Sequence, residues 1–413
     1  MLRWTESPIG ENLLDVVLSI HEQTMALHND RAVLANYSDA KSTLRNFDKI
    51  GRKLDEIDAN LCTLGGHPGS YLRAMAKAFR CQARNLQGDA IPYDILLADI
   101  QELPSSLIPV GRMGQQKEKA ETGMRCLGYR GSFKEMAQAW LSATRIQPDQ
   151  VTQVAQSLIF LAKQATLERV IGLPEADGIN EVKSIRGVFW SGYSNYLGGY
   201  RGDLTFNIDR PWSEPIFAQV LTHEAYPGHQ AFYCRWDHLF QSGLWPLEAA
   251  YYMVNTPTNA LFEGGPEMAL HFLGWDVEEG GGPEIPTEAR VRYAVARDFL
   301  DYQRMVQTNA CLMTNVHGAS EVDALNYMTQ VGGMTEIEAH NSYRFFTHPI
   351  QRTYYPTYYY GRWLVGLSYA LIESAQQPAY FKLLYDTPQT NSTFIESIKG
   401  LTGQDFDPFS DLA

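Results

Sequence analysis

The sequence predicts a mainly helical protein with a small β-sheet, arranged as two lobes around a cleft. Three observations predict this. Apolar residues recur every three or four positions over most of the first 170 residues. Between about 173 and 212 the chain turns to short β-prone runs broken by glycines, and beyond that the helical spacing returns. At 413 residues the chain is long enough for two or three lobes, or for one large helical body with ample core. The change of character sets the expected division: an N-terminal helical lobe over 1–172 and a second lobe over 173–413 that carries the chemistry.

The elements follow in order. Leu13-Val16-Val17-Ile20, Leu44-Phe47-Ile50, Tyr71-Met75-Phe79 and Val154-Leu158-Leu161 each mark an amphipathic helix. Gly65-Gly66-His67-Pro68-Gly69 and Leu103-Pro104 read as turns between them. Gly187-Val188-Phe189-Trp190, Tyr196-Leu197 and Leu204-Thr205-Phe206-Asn207-Ile208 predict strands within about 186–209. Ser213 is placed to cap a helix over about 214–240, with Glu214 in its first turn and Pro215 tolerated there. A second helix is expected over about 258–274. Glu278 to Pro286 is a loop by composition, and Thr287 to Asn315 reads as one long helix. Thr335-x-x-Glu338 is a capping box, and a further helix is expected over Gly361 to Ala375.

Composition narrows the function classes. With 34 basic against 47 acidic residues, a net charge of −13 argues against a nucleic-acid partner. No run of 18 apolar residues occurs, so no membrane partner is expected. The opening MLRWTESPIGENLL lacks the apolar core of a signal peptide, which predicts a cytoplasmic protein. The five cysteines (Cys62, Cys81, Cys126, Cys234 and Cys311) are scattered and without CxxC spacing, as reduced thiols would be. The sequence carries no signal for an oligomeric state.

The chemistry is expected at His223-Glu224-Ala225-Tyr226-Pro227-Gly228-His229. In the HExxH arrangement of zinc hydrolases, two histidines one helical turn apart hold the metal and the Glu acts as general base. Here the second His follows six residues after the first, which on a regular helix leaves the two side chains roughly 120° apart. Pro227 breaks the helical hydrogen bonding and Gly228 tolerates unusual backbone angles, so a bulge at Tyr226-Pro227-Gly228 would bring both imidazoles to one face. Ile216, Val220 and Leu221 put His223 and Glu224 on an inward stripe, where such groups are costly unless paired or metal-bound. A catalytic zinc needs a third protein ligand from a neighbouring helix, and Glu263 suits it. Glu267, one turn later, suits an acceptor that holds a ligand histidine in its tautomer. Zn²⁺ is the expected cofactor, although His/carboxylate sites also accept Mn²⁺, Fe²⁺ or Co²⁺.

These residues resemble domain-of-unknown-function family 885, whose members carry HEAxPGHH followed by an EGW-type helix and are regarded as zinc metallopeptidases of gluzincin type. HEAYPGHQ matches except at Gln230, where the family has another His. Phe262-Glu263-Gly264-Gly265 matches the second segment with Gly265 in place of Trp. The resemblance covers roughly residues 180 to 365, and the chain is similar to a short, divergent member. It implies a zincin-like fold in which an edge strand beside the metal helix pairs with substrate, a role that would fall to Asp203–Ile208. It also implies a late Tyr-x-x-Gly element lining the cleft, matched by Tyr358-Tyr359-Tyr360-Gly361, with the preceding Pro-Gly-Gln-Ala replaced by Arg352-Thr353-Tyr354-Tyr355.

The stretch from His340 to Arg362 is dense in Tyr, Arg and His. An oxyanion formed during hydrolysis needs donors, and Tyr358 is the first choice because the resemblance points there, with His348 second. Arg344, Arg352 or Arg362 suit a substrate carboxylate, and Tyr354 a substrate contact. His271 reads as a packed core histidine and Cys234 as a buried structural thiol.

The expected activity is zinc-dependent hydrolysis of an amide or peptide bond, on a small peptide or an amide-containing small molecule. His223, His229 and Glu263 hold the metal, and Glu224 is the general base. A second expectation keeps the metal but acts on a small specialised metabolite, by non-peptide C–N cleavage or lyase chemistry. A third is a non-catalytic helical binding protein with a decayed site, against which the intact His, Glu, His and Glu set argues.

Overall fold

The computed structural model describes residues 2–5 and 8–412; Met1, Glu6, Ser7 and Ala413, the extreme ends of the two expected lobes among them, lie outside the described residues. The first part of the chain is helical: α1 (Ile9–His28), α2 (Phe47–Leu61), α3 (Gly66–Leu86), α4 (Tyr93–Gln101), α5 (Val110–Cys126), α6 (Phe133–Ala143) and α7 (Val151–Arg169), with one short strand, β1 (Val33–Asn36), after the first helix. Three strands follow, β2 (Gly178–Ile185), β3 (Gly192–Gly198) and β4 (Arg201–Asn207). Then come α8 (Glu214–Glu224), α9 (His229–Gln241), β5 (Tyr251–Met253), α10 (Asn259–Glu267) and α11 (Ala269–Phe272). The remainder is helical: α12 (Thr287–Asn315), α13 (Glu321–Gln330), α14 (Glu336–Phe346), α15 (Thr357–Ala370), α16 (Gln377–Tyr385) and α17 (Asn391–Thr402).

The mainly helical expectation holds, and its strongest signals land where the period placed them. Leu13, Val16, Val17 and Ile20 are all buried on α1. Thr287 and Asn315 bound α12, and the Thr335/Glu338 capping box opens α14 with both reciprocal bonds made. Where expectation and structure differ, the reason is local. Gly66-His67-Pro68-Gly69 is the first turn of α3, not a turn between helices, because a proline costs little where amides have no helical acceptor. Gly187–Trp190 is the loop between β2 and β3, and β2 forms on the polar Asn180-Glu181-Val182-Lys183, whose exposed face leaves no alternation to read. Ser213 precedes α8, yet its hydroxyl makes no cap hydrogen bond and lies buried without a partner. The last expected helix starts at Thr357, ahead of Gly361, and ends at Ala370.

The three-stranded sheet has the order β2-β4-β3, with β2 parallel and β3 antiparallel to β4. Asp203–Ile208 is therefore central, and the edge-strand role expected of it is corrected. The edge beside α8 is β3: a Cβ on its Gly192 would meet the Glu224 side chain at 3.0 Å. β1 and β5 pair separately as an antiparallel ribbon.

The expected boundary at 172 falls between α7 and β2, but the buried apolar clusters draw on both sides of it. One runs from Leu13 and Phe79 through Phe217 and Phe262 to Tyr385. The other gathers Trp140, Phe299, Phe346 and Tyr360 around α12. No helix among the described residues is long and apolar enough to cross a membrane.

Candidate metal centre

The expected single metal helix over 214–240 is two helices. α8 ends at Glu224, Ala225 leaves helical geometry (φ −100°, ψ −99°), and α9 starts at His229. The Tyr226–Pro227 peptide bond is cis. The link folds so tightly that a Cβ on Gly228 would sit 1.8 Å from the His223 carbonyl oxygen and 2.5 Å from that of Thr222, so only glycine fits. Its amide instead donates to Thr222 O at 3.1 Å. The two extra residues are thus absorbed by a break with a close backbone return, in place of the expected bulge. His223 closes one helix and His229 opens the next, with ring centroids 4.6 Å apart and planes at 87°.

Glu263 reaches this pair from α10, which is fixed against α15 by backbone contact. A Cβ on Gly264 would meet the Gly361 carbonyl oxygen at 2.3 Å, and one on Gly361 would meet that of Ala260 at 2.0 Å. The glycines of the two late segments are one contact, which brings Glu263 and Tyr358 to the same site. Gly265 has no room for a larger side chain, because the Phe232 ring occupies that space at 2.9 Å. The helix expected over 258–274 breaks at Met268 into α10 and α11.

One potential ligand atom from each of His223, His229 and Glu263 lies within 4.8 Å of the others, and all three residues are buried. His223 Nε2 is 3.1 Å from Glu263 Oε2, and His229 Nε2 is 3.6 Å from Oε1. Although close to His223, Oε2 makes no hydrogen bond and is fully shielded from solvent; His229 Nδ1 is in the same condition. Buried polar atoms left without partners, in a cluster of two imidazoles and a carboxylate, are what a cation would satisfy. Two imidazoles and one carboxylate are the donor set of catalytic zinc, so the residues fit that ion.

The surroundings hold the donors in place. Glu267 Oε1 lies 3.6 Å from His223 Nδ1 and accepts from Arg304 Nη2 at 2.8 Å. Tyr354 donates its hydroxyl to Glu263 Oε1 and meets the Tyr252 hydroxyl at 3.0 Å. Phe262 stacks on His229 with centroids 4.4 Å apart, and Tyr358 stacks on His223 at 6.2 Å. Burial alone would lower the His223 imidazole, but the adjoining Glu263 carboxylate raises it to about 9. His229 is pushed by burial down to about 3. Burial raises the Glu224 carboxyl to about 7.

Two cavities meet at this centre. The larger, about 460 Å³, is walled by His229, Glu263, Tyr193, Tyr233, Tyr354 and His348 among others. The smaller, about 120 Å³, includes His223, Glu267, Arg210 and Arg304. Glu224 and Tyr358 belong to both walls.

Of the residues singled out by sequence, His223, Glu224, His229, Glu263, Glu267, Tyr354 and Tyr358 come together here. His348 lies at the rim of the larger cavity, its Nδ1 4.0 Å from Asp30. The substrate-binding expectation is corrected for two arginines, each committed elsewhere. Arg362 pairs with Asp301 at 3.0 Å, and Arg352 lies over the Tyr93 ring with Nη2 on Asn85. Arg344 covers the Phe189 ring. Gln230 faces away from the centre, its amide 3.2 Å from the buried Asp177, and Cys234 donates to the same carboxylate as a structural thiol. His271 pairs with Asp276. Sequence reasoning missed Arg304 and Arg210. Arg304 lies within a 29-residue helix whose pattern marks no special position, and Arg210 lies in a loop.

No family model matches the chain, and no curated protein matches it. Solved structures that share its fold include the following two. One, from Colwellia psychrerythraea and provisionally named a lipoprotein, is 13% identical with a TM-score of 0.57; the match covers 86% of this chain but only 60% of the other. The second, a protein of unknown function from Shewanella oneidensis with the same provisional name, is 13% identical with a TM-score of 0.52, covering 94% and 72% of the two chains. At that identity the likeness is one of fold.

Proposed function

We propose that this chain is a zincin-like metallohydrolase that cleaves an amide or peptide bond in a small substrate, as a short relative of family 885. The observation that carries the reading is the buried convergence of His223, His229 and Glu263 beside the Glu224 carboxyl, which burial pushes up. Zinc, when bound by these three residues, supplies Lewis acidity toward the carbonyl and lowers the pKa of water. Glu224 takes a proton from the attacking water and passes it to the leaving nitrogen, a task for which a carboxyl at about 7 is well matched. Tyr358 offers its hydroxyl to the developing oxyanion. The exposed edge of β3, beside Glu224, is placed to hold the substrate main chain by strand addition. Enclosure between two cavities of modest size favours short substrates over folded proteins. All five cysteines are free, which supports a reducing compartment such as the cytoplasm.

Elemental analysis after metal-replete expression tests the metal, with about one zinc per chain expected. Less than about a tenth of an ion per chain would remove the premise and favour a non-catalytic binding protein. Zinc-loaded protein is then assayed on a panel of short peptides and small amides. Full metal loading with no amide cleaved would move the reading to non-peptide chemistry on a small metabolite.

A further inference from the structure

Two guanidiniums face the smaller cavity, opposite the Glu224 and Glu267 carboxylates. Arg210 and Arg304 line it together with Gln219 and Gln307, next to His223 and Glu224. Arg304 spends one nitrogen on Glu267 and lies 4.6 Å over the Tyr358 ring, while its Nε is buried without any hydrogen bond. Arg210 is partly buried, rests near the Trp212 ring, and has no ion-pair partner among the described residues. Glu267 pairs directly with Arg304, whereas Arg210 makes no ion pair among the described residues and feels Glu338 only at longer range. A guanidinium drawn out of water without a counter-charge is costly, and a bound carboxylate removes that cost through charge-assisted hydrogen bonds. The larger cavity differs in character. Its wall is rich in aromatic rings, among them Tyr193, Tyr233, Phe262 and Tyr354, and Asp30 and Arg31 both line it.

The geometry points to Arg210 and Arg304 as a subsite for the α-carboxylate of a substrate's terminal residue, so that the enzyme removes one residue from the carboxyl end of a short peptide or N-acyl amino acid. This rests on the hydrolase reading above. The scissile amide lies at the partition shared by Glu224 and Tyr358, the acyl side occupies the aromatic cavity, and the terminal residue occupies the basic one. Water adds to the carbonyl carbon and the C–N bond breaks. The proton held by Glu224 goes to the departing nitrogen. The products are the shortened acid and a free amino acid, with nothing oxidised or reduced. The small volume of the basic cavity selects a small terminal side chain.

The test uses N-acetyl-alanyl-alanine and its C-terminal amide in two measurements. In calorimetric titration of the wild-type protein stripped of metal by a chelator, the free acid is expected to bind about tenfold to hundredfold more tightly than the amide. Arg210→Met should abolish that preference, and Arg210→Lys should restore part of it. Equal or undetectable binding of acid and amide overturns the subsite. Equal binding of N-acetyl-alanyl-aspartic acid α-amide and the free acid would assign the pocket to acidic side chains and overturn the chain-end assignment. In the second measurement, zinc-loaded protein should cleave the acid with a kcat/KM higher than that for the amide by a similar factor. Equal rates on both overturn the subsite and leave the hydrolase standing. An Arg210-dependent binding preference without cleavage of either compound overturns the hydrolase and leaves the subsite standing.

Discussion

Glu263 has two oxygens with different duties, and the side chains around it separate the roles of neighbouring tyrosines. Tyr354 holds Oε1, so Tyr354→Phe is expected to weaken zinc affinity about tenfold to hundredfold, read by competition with a chromophoric chelator. Tyr358 stacks on His223 and lines both cavities without bonding Glu263, so Tyr358→Phe should leave zinc content intact and lower kcat by about tenfold to a hundredfold. Glu224→Gln should likewise keep one zinc per chain while losing turnover by roughly three orders of magnitude or more. Full activity in that variant would remove Glu224 as the base. At this scale the sequence was legible for the candidate metal cluster, because imidazoles and carboxylates on an apolar stripe are costly unless paired or metal-bound. It was poorly legible for arginines. Arg362 and Arg352 sit in the most suggestive stretch yet serve Asp301, Tyr93 and Asn85, whereas Arg304 and Arg210, which reach the site, stand in no motif. A guanidinium on a long stem is assigned by what it meets in space, and spacing along the chain does not record that.

Two backbone contacts govern how the elements meet. Gly228 returns against the last turn of α8, and Gly361 lies on the Ala260 carbonyl of α10. Gly228→Ala and Gly361→Ala should each destabilise the protein by about 3 kcal/mol or prevent folding, since backbone atoms cannot yield as side chains do. Thermal unfolding measures the loss. A control at Gly51, where a Cβ meets nothing within 4 Å, should be neutral or slightly stabilising. An unchanged midpoint in Gly228→Ala would mean that the link between α8 and α9 can open to admit a methyl group. The helices were legible from period and caps, as α1, α12 and the Thr335/Glu338 box illustrate. The strands were not: β2 is polar on its exposed face and β5 is three residues long, so neither presents an alternating run. Nor does a list of strands give their order, and it is the order that makes β3, and not Asp203–Ile208, the edge strand beside α8.

Across the whole molecule, ion pairs far from the candidate metal centre tie late segments together. Asp276, buried after α11, would be raised by burial alone, but the His271 hydrogen bond and the Arg297 charge hold it at about 2. Its folded value lies below the ordinary 3.8, so its contribution is complete above about pH 4 and is lost as pH falls through 2. That shift corresponds to about 2 kcal/mol. Asp276→Asn should therefore lower stability at pH 7 by at least about that amount, with the gap to wild type closing in acid; a constant gap from pH 7 to 2 would assign the loss to packing. The same scale explains the mixed cores, in which residues before and after 172 pack together although the chain changes character there.

By itself the sequence determined a mainly helical protein and singled out the residues that converge at the candidate metal centre, because both follow from local rules: helical period, capping, and the cost of burying imidazoles and carboxylates alone. Only the tertiary structure decided that α8 and α9 are separate helices, that β3 is the edge strand beside α8, and that Arg210 and Arg304 line a cavity adjoining the larger one. These depend on which backbones can touch and which distant side chains share a space, and no spacing along the chain encodes either.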